Sequence, residues 1–138
     1  MAKKQIKVGV KQFARRPPGF LWHEWNLDLA FKEAMEFLDD GQYRHMALQM
    51  QDLATEDDPT HSSLCSVRQI EDFYELRDWG GVLRSLNVRV FFGVDKARHA
   101  LVVIVAIQKQ NNGPTPLGDK VRMRRRWRKY LDGDYGYP

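Results

Sequence analysis

Apolar and polar residues alternate at the start of the chain, where Ile6, Val8 and Val10 are interleaved with Lys7, Gly9 and Lys11. A period of two predicts a half-buried first strand. Arg15-Arg16-Pro17-Pro18-Gly19 then interrupts regular structure, because neither proline can donate to a sheet and the glycine permits a turn. The aromatic run Phe20-Leu21-Trp22-His23-Glu24-Trp25 comes next. Such a run serves as a lid or an anchor, or more commonly fills the core beside a helix. With the prolines before it, it reads as an irregular insertion at about 14–25.

Two helical patterns follow. Leu27, Phe31, Ala34, Met35 and Leu38 recur at three and four, with Asn26 or Asp28 as the cap and Asp39-Asp40-Gly41 as the stop. From about 42 to 54, Tyr43, Met46, Ala47, Met50 and Leu53 share one side, until Glu56-Asp57-Asp58-Pro59 ends the pattern. The short Asp-Asp-Gly link predicts a helical hairpin. After a loop at 61–66, residues 67–77 read as one extended segment, with Phe73 and Glu75 on one side and Tyr74 and Leu76 on the other. Asp78-Trp79-Gly80-Gly81 forms a turn, and 82–86 is a connector without a clear pattern. Two longer strands, 87–95 and 100–109, are joined by Asp95-Lys96-Ala97-Arg98 as a hairpin loop. The run at 100–107 is wholly apolar and mostly β-branched, which suits a buried strand. A loop at 111–116 leads to a last helix at 117–131, with Val121, Arg124, Trp127 and Leu131 at roughly helical spacing.

This order predicts an α+β fold: a small antiparallel sheet with an N-terminal helical hairpin packed on one face and a basic C-terminal helix. The sheet face away from the hairpin is then the expected working surface. At 138 residues the chain suits one domain, 1–138, with a core of its own.

Charge alters the picture more through its distribution than through its total of +4. Residues 24–75 hold thirteen acids against three bases, whereas 76–138 hold thirteen bases against five acids. One acidic and one basic face follow, and the basic face attracts polyanions. Cys65 is the only cysteine, which rules out an internal disulfide and a multi-cysteine metal site and fits a reducing, cytoplasmic setting. No run approaches the roughly 18 apolar residues of a membrane span, and no apolar segment follows the basic N-terminus, so we expect a soluble, unexported protein that does not engage a membrane.

Arg77 ends one strand, Arg89 lies early in the next and Lys109 ends the third. In an antiparallel meander the start of one strand lies beside the end of its neighbour, so these three converge at one end of the sheet. Arginine forks bind phosphate and stay charged throughout the physiological range. Each alone also reads as a solvated charge at a strand end. The terminal segment adds Lys120, Arg122, Arg124, Arg125, Arg126, Arg128 and Lys129, a density of like charge that a polyanion or an acidic neighbour must offset. Arg84 joins them as a nucleic-acid contact. Trp127 and Tyr130 are placed to stack on bases or, as their helical spacing favours, to pack in the core. His23, His45, His61 and His99 have no partner by spacing, and no metal motif, glycine-rich phosphate loop or triad signature occurs. Glu75 is suited to hold Arg77 or another cation in place.

Tyr74-Glu75-Leu76-Arg77, Val88-Arg89-Val90-Phe91-Phe92, the apolar strand ending at Gln108-Lys109, and Thr115-Pro116 before the final helix together resemble the RelE/ParE toxin superfamily, in its phage-related HigB-like branch. The resemblance covers 73–131 and extends to the N-terminal elements only by their order. It implies the toxin of a toxin-antitoxin pair, a ribosome-dependent mRNA endoribonuclease neutralised by a cognate antitoxin and working without metal or cofactor. Carried over by position, Arg89 stabilises the phosphate transition state, and Lys109 and Arg77 neutralise backbone charge. The family's lysine pair is Lys109-Gln110 here, and no general base aligns. A non-catalytic RNA- or DNA-binding module, or a gyrase-directed relative, therefore stands beside the ribonuclease.

Overall fold

A computed structural model describes residues 19–77, 87–109 and 114–138. The strand expected at 6–10, the turn at 78–81, the connector at 82–86 with Arg84, and the loop residues 111–113 lie outside the described residues. The elements are β1 (His23–Asn26), α1 (Asp28–Phe37), α2 (Asp40–Ala54), a 3-10 turn (Pro59–His61), β2 (Ser66–Ile70), β3 (Phe73–Arg77), β4 (Val88–Asp95), β5 (Ala100–Gln108) and α3 (Leu117–Leu131).

Five strands form one sheet in the order β1-β5-β4-β3-β2. β2 to β5 are an antiparallel meander, but β1 runs parallel to β5, with His23 opposite Ala100 and Asn26 opposite Val103. The fold is α+β as expected, with a mixed rather than purely antiparallel sheet. Its parallel strand comes from the aromatic run that the sequence pattern marks as irregular; residues 14–18, the start of that expected insertion, lie outside the described residues. Trp25 faces one side while Glu24 and Asn26 face the other, and all three are buried. Polar residues on a covered face invert the usual alternation and hide the strand.

A second difference lies at Glu71-Asp72. The segment 67–77 is not one extended strand but a hairpin, with Ile70 opposite Phe73 and Arg68 opposite Glu75. Glu71 takes φ +58° to close it, a conformation that glycine or asparagine would signal and glutamate does not.

Along β4, Val90 and Phe92 face the helical hairpin, while Arg89, Phe91, Gly93 and Asp95 face the other side. α1 and α2 cover the first face; α3 lies on the second. There Trp127 rests on Gly93, where an added Cβ would meet its ring carbons at 2.5–2.8 Å. Tyr130, fully buried, donates to Asp95 at 2.7 Å. The glycine inside a strand marks this close approach.

Neither Asn26 nor Asp28 caps α1: its N-cap is Leu27, with no side-chain cap bond. Asp28 sits in the first turn, where a carboxylate suits the helix dipole, and pairs with Lys32 at 3.1 Å. The Asp39-Asp40-Gly41 link belongs largely to α2. Asp39 caps it in a capping box, accepting from the Gln42 N–H at 2.8 Å while the Gln42 side chain accepts from the Asp39 N–H at 3.0 Å.

β1 covers β5 only as far as Val103, so the next backbone groups need other partners. Glu33 of α1 accepts from the Ala106 N–H at 3.1 Å, and Arg126 of α3 donates to the Ile104 carbonyl at 2.8 Å. The two side chains also pair with each other at 2.8 and 3.0 Å. One ion pair thus seals the sheet edge and ties the helix on one face to the helix on the other. Among the described residues no helix is long and apolar enough to cross a membrane.

Candidate nucleic-acid interface

Arg77 and Arg89 stand directly opposite each other on neighbouring strands. Like charges in that position repel, and Glu75 makes the arrangement possible. Its carboxylate, 1 % exposed, lies 3.1 Å from Arg77 Nε through one oxygen and 3.2 Å from Arg89 Nε through the other. Alternation along β3 puts Glu75 and Arg77 on one face, and the hairpin adds Arg68 opposite Glu75 on the same face. The Lys109 N–H donates to the Asn87 carbonyl at 2.7 Å, which brings β5's end beside the start of β4.

Lys109 also feels the charge of Glu75, Arg89, Arg77 and Arg68. Among the described residues, Glu75 thus has two arginines at ion-pair distance, a third opposite it on the hairpin, and Lys109 within reach of its charge. The expected convergence of Arg77, Arg89 and Lys109 is present, and Arg68 is an addition. It was missed because the Glu71-Asp72 turn was missed, and its only sequence sign was its place nine residues before Arg77.

The cations are not equivalent. Arg89 is buried; its guanidinium donates to Val88 O at 3.2 Å and to Asn87 Oδ1. Burial first, and then the neighbouring Arg77, push its pKa below the ordinary arginine value, against the pull of Glu75. Arg89 holds the floor of the site. Arg77 is about a quarter exposed, at 27 %, and Arg68 is exposed. Desolvation, followed by the three arginines and opposed by Glu75, lowers the Lys109 pKa from the usual lysine range. A bound phosphate would add negative charge where positive charge is crowded, which is what an anion site requires.

The terminal helix is different. Arg126 is buried against Glu33 and Ile104 O, so it is a structural residue rather than a surface contact. Arg122 donates to Asp119 at 2.7 Å and lies 3.6 Å from Glu33. Arg124 forms two bonds with Glu71, at 3.0 and 2.8 Å. Lys120, Arg125, Arg128 and Lys129 have no ion pair among the described residues, and the last three are exposed. Trp127 and Tyr130 stack on each other at 5.2 Å, and Trp127 also meets Phe73 edge-on. They pack the core and do not form a base-stacking platform.

The histidines lie elsewhere. His99 stacks on Trp22 at 4.1 Å beside the β4–β5 turn, at the end of β5 remote from Lys109. His45 bonds Gln49 on α2, and His61 sits with Asp58 in the 3-10 turn. Burial, with Asp52 and Glu56 nearby, pushes the Cys65 thiol up to about 11, so it stays protonated and inert. Among the described residues no group of three His, Cys, Asp or Glu side chains could hold a metal ion. No protein family and no curated protein sequence matches the chain.

Proposed function

We propose that this protein binds the sugar-phosphate backbone of RNA at the end of the sheet, with Arg68, Arg77 and Lys109 contacting phosphate and Arg89 supporting them from below. The observation that carries this reading is the gathering, among the described residues, of Arg77 and Arg89 at ion-pair distance from Glu75, with Arg68 opposite it on the hairpin and Lys109 near enough to feel its charge. Arginine forks and an ammonium recognise phosphate oxygens without reading bases, so binding is sequence-independent and driven by counterion release.

Binding of a labelled single-stranded RNA, followed by anisotropy across salt concentrations, tests it. Affinity should fall steeply with salt, and Arg77→Ala and Lys109→Ala should each flatten the log-log slope by about 0.7. An unchanged slope in both variants refutes the assignment.

Lys109 favours a second reading, the endoribonuclease toxin of a toxin-antitoxin pair, acting on mRNA at the ribosome. Lys109 is charged at neutrality, and desolvation and the neighbouring arginines, by lowering its pKa, make it a readier proton donor than an isolated lysine. The 2′-hydroxyl of RNA would give its proton to solvent water and attack the adjacent phosphorus as the bond to the 5′-oxygen breaks. Lys109 would deliver the proton to the departing oxygen, and Arg77 would neutralise the charge on phosphorus. Expression that arrests growth in the wild type but not in Lys109→Ala supports cleavage. Salt-dependent RNA binding without growth arrest leaves the binding module.

A further inference from the structure

Between the α1–α2 hairpin and the sheet lies a cavity of about 30 Å³, room for about two water-sized groups. Its walls are mainly apolar, from Ala30, Ala34, Met50 and Val103, and Phe31 and Tyr43, both reaching solvent, flank it edge to face at 5.2 Å. Glu24 projects from β1 into this setting. It is 2 % exposed; Asn26 donates to the carboxylate and also to the Tyr43 hydroxyl, at 3.4 Å, yet Oε2 has no hydrogen-bond partner among the described residues. A buried carboxylate oxygen with nothing to accept from costs folding free energy unless something fills the place. The lining also fixes the sign of the occupant: Glu24 is the one acid among the described residues that line the cavity, and no basic side chain lines it.

We propose that this pocket binds the ammonium head of a primary amine carried on an unbranched aliphatic stem. The head occupies the cavity and donates to Glu24 Oε2 and the Tyr43 oxygen, and the stem leaves past Phe31. An ammonium supplies three donors and one positive charge in a volume no larger than the cavity. Burial holds the Glu24 carboxyl up to about 7, and also raises Tyr43, with Glu24 adding to it, to about 12. Ligand entry therefore favours ionised Glu24 while Tyr43 stays protonated. This site lies on the sheet face opposite the cationic cluster and does not depend on RNA binding.

The protein is titrated at pH 6, where a carboxyl with a pKa of about 7 is mostly protonated before ligand is added, with n-butylammonium, n-butanol and butyrate, reading thermal unfolding and the carboxyl ¹³C shift of Glu24. We expect only the ammonium to raise Tm, with Glu24 moving to its ionised shift, and binding at least about tenfold weaker in Glu24→Gln. Equal responses to butanol and butylammonium, or an unmoved Glu24 resonance, overturn the proposal and leave water as the occupant. The carboxyl shift decides the matter in the wild type even where Glu24→Gln does not fold. N-acetyl-lysine methylamide separates the two sources of such a head: binding equal to butylammonium assigns a lysyl side chain of a partner, and binding of butylammonium alone assigns a free amine.

Discussion

Two basic regions of this molecule differ in what their charge is used for. α3 carries seven bases between Lys120 and Lys129, whereas the sheet end gathers four from three strands and the end of a fourth. In the helix, Arg122, Arg124 and Arg126 are engaged by Asp119, Glu71 and Glu33. At the sheet end, two arginines share one carboxylate, and the other cations crowd the same place. Charge density along a sequence therefore overstates one region and understates the other; what matters is cations per carboxylate after folding.

The contrast breaks most severely at Glu75. Glu75→Gln leaves two buried or half-buried arginines facing each other without compensation, and should cost about 3–5 kcal/mol in denaturant unfolding. Sulfate should restore part of the loss, because an anion that binds only the folded state stabilises it. A variant as stable as the wild type would mean that the cations do not rely on Glu75. Arg126→Ala comes next, at about 2–3 kcal/mol, since Glu33 loses its nearest cation, keeping the Ala106 N–H, and the Ile104 carbonyl loses the guanidinium donor. RNA affinity of the folded variant should be unchanged, and a drop in affinity would return Arg126 to the binding surface. Gly93→Ala, which drives a methyl into the Trp127 ring, should cost about 1–3 kcal/mol and loosen α3 without touching the sheet-end cations.

A titration separates the regions without mutation. Lysine is charged below its pKa, and that of Lys109 is lowered from 10.5 by desolvation and the nearby arginines. RNA affinity should therefore start to fall at a pH below 10.5, as the ammonium loses its proton, with the salt slope flattening by about 0.7. Arginine contacts persist throughout that range. Lys109→Arg should remove the decline, and a decline that survives this substitution must come from another group.

Much of this arrangement was legible in the sequence. β4 and β5 announced themselves by continuous apolar, largely β-branched runs, and strand order alone placed Arg77, Arg89 and Lys109 at one end. β1 was hidden because its covered face holds Glu24 and Asn26, and a polar inward face reads as loop. Arg68 was hidden behind a turn closed by Glu71 at positive φ rather than by glycine. Arg126 looked like its neighbours because the partner that buries it, Glu33, lies 93 residues away. Local pattern reports periodicity well; it carries no information on which distant carboxylate an arginine meets.

The smallest effect is also the most pointed, because it asks whether a paired helix cation can be returned to use. Arg124 and Glu71 are both well exposed, at 52 % and 34 %, so their bidentate pair is screened by solvent and salt and contributes little to stability. Glu71 nevertheless holds the guanidinium against the β2–β3 turn. Glu71→Gln removes the carboxylate's charge but keeps the length of the side chain at a position with φ +58°. Unfolding should be nearly that of the wild type, while RNA affinity rises slightly at low salt and the salt slope steepens by up to about 0.7. An Arg124→Ala, Glu71→Gln double variant should lose this gain. If Glu71→Gln alone leaves the slope untouched, the helix takes no part in binding, and the sheet end accounts for all of it.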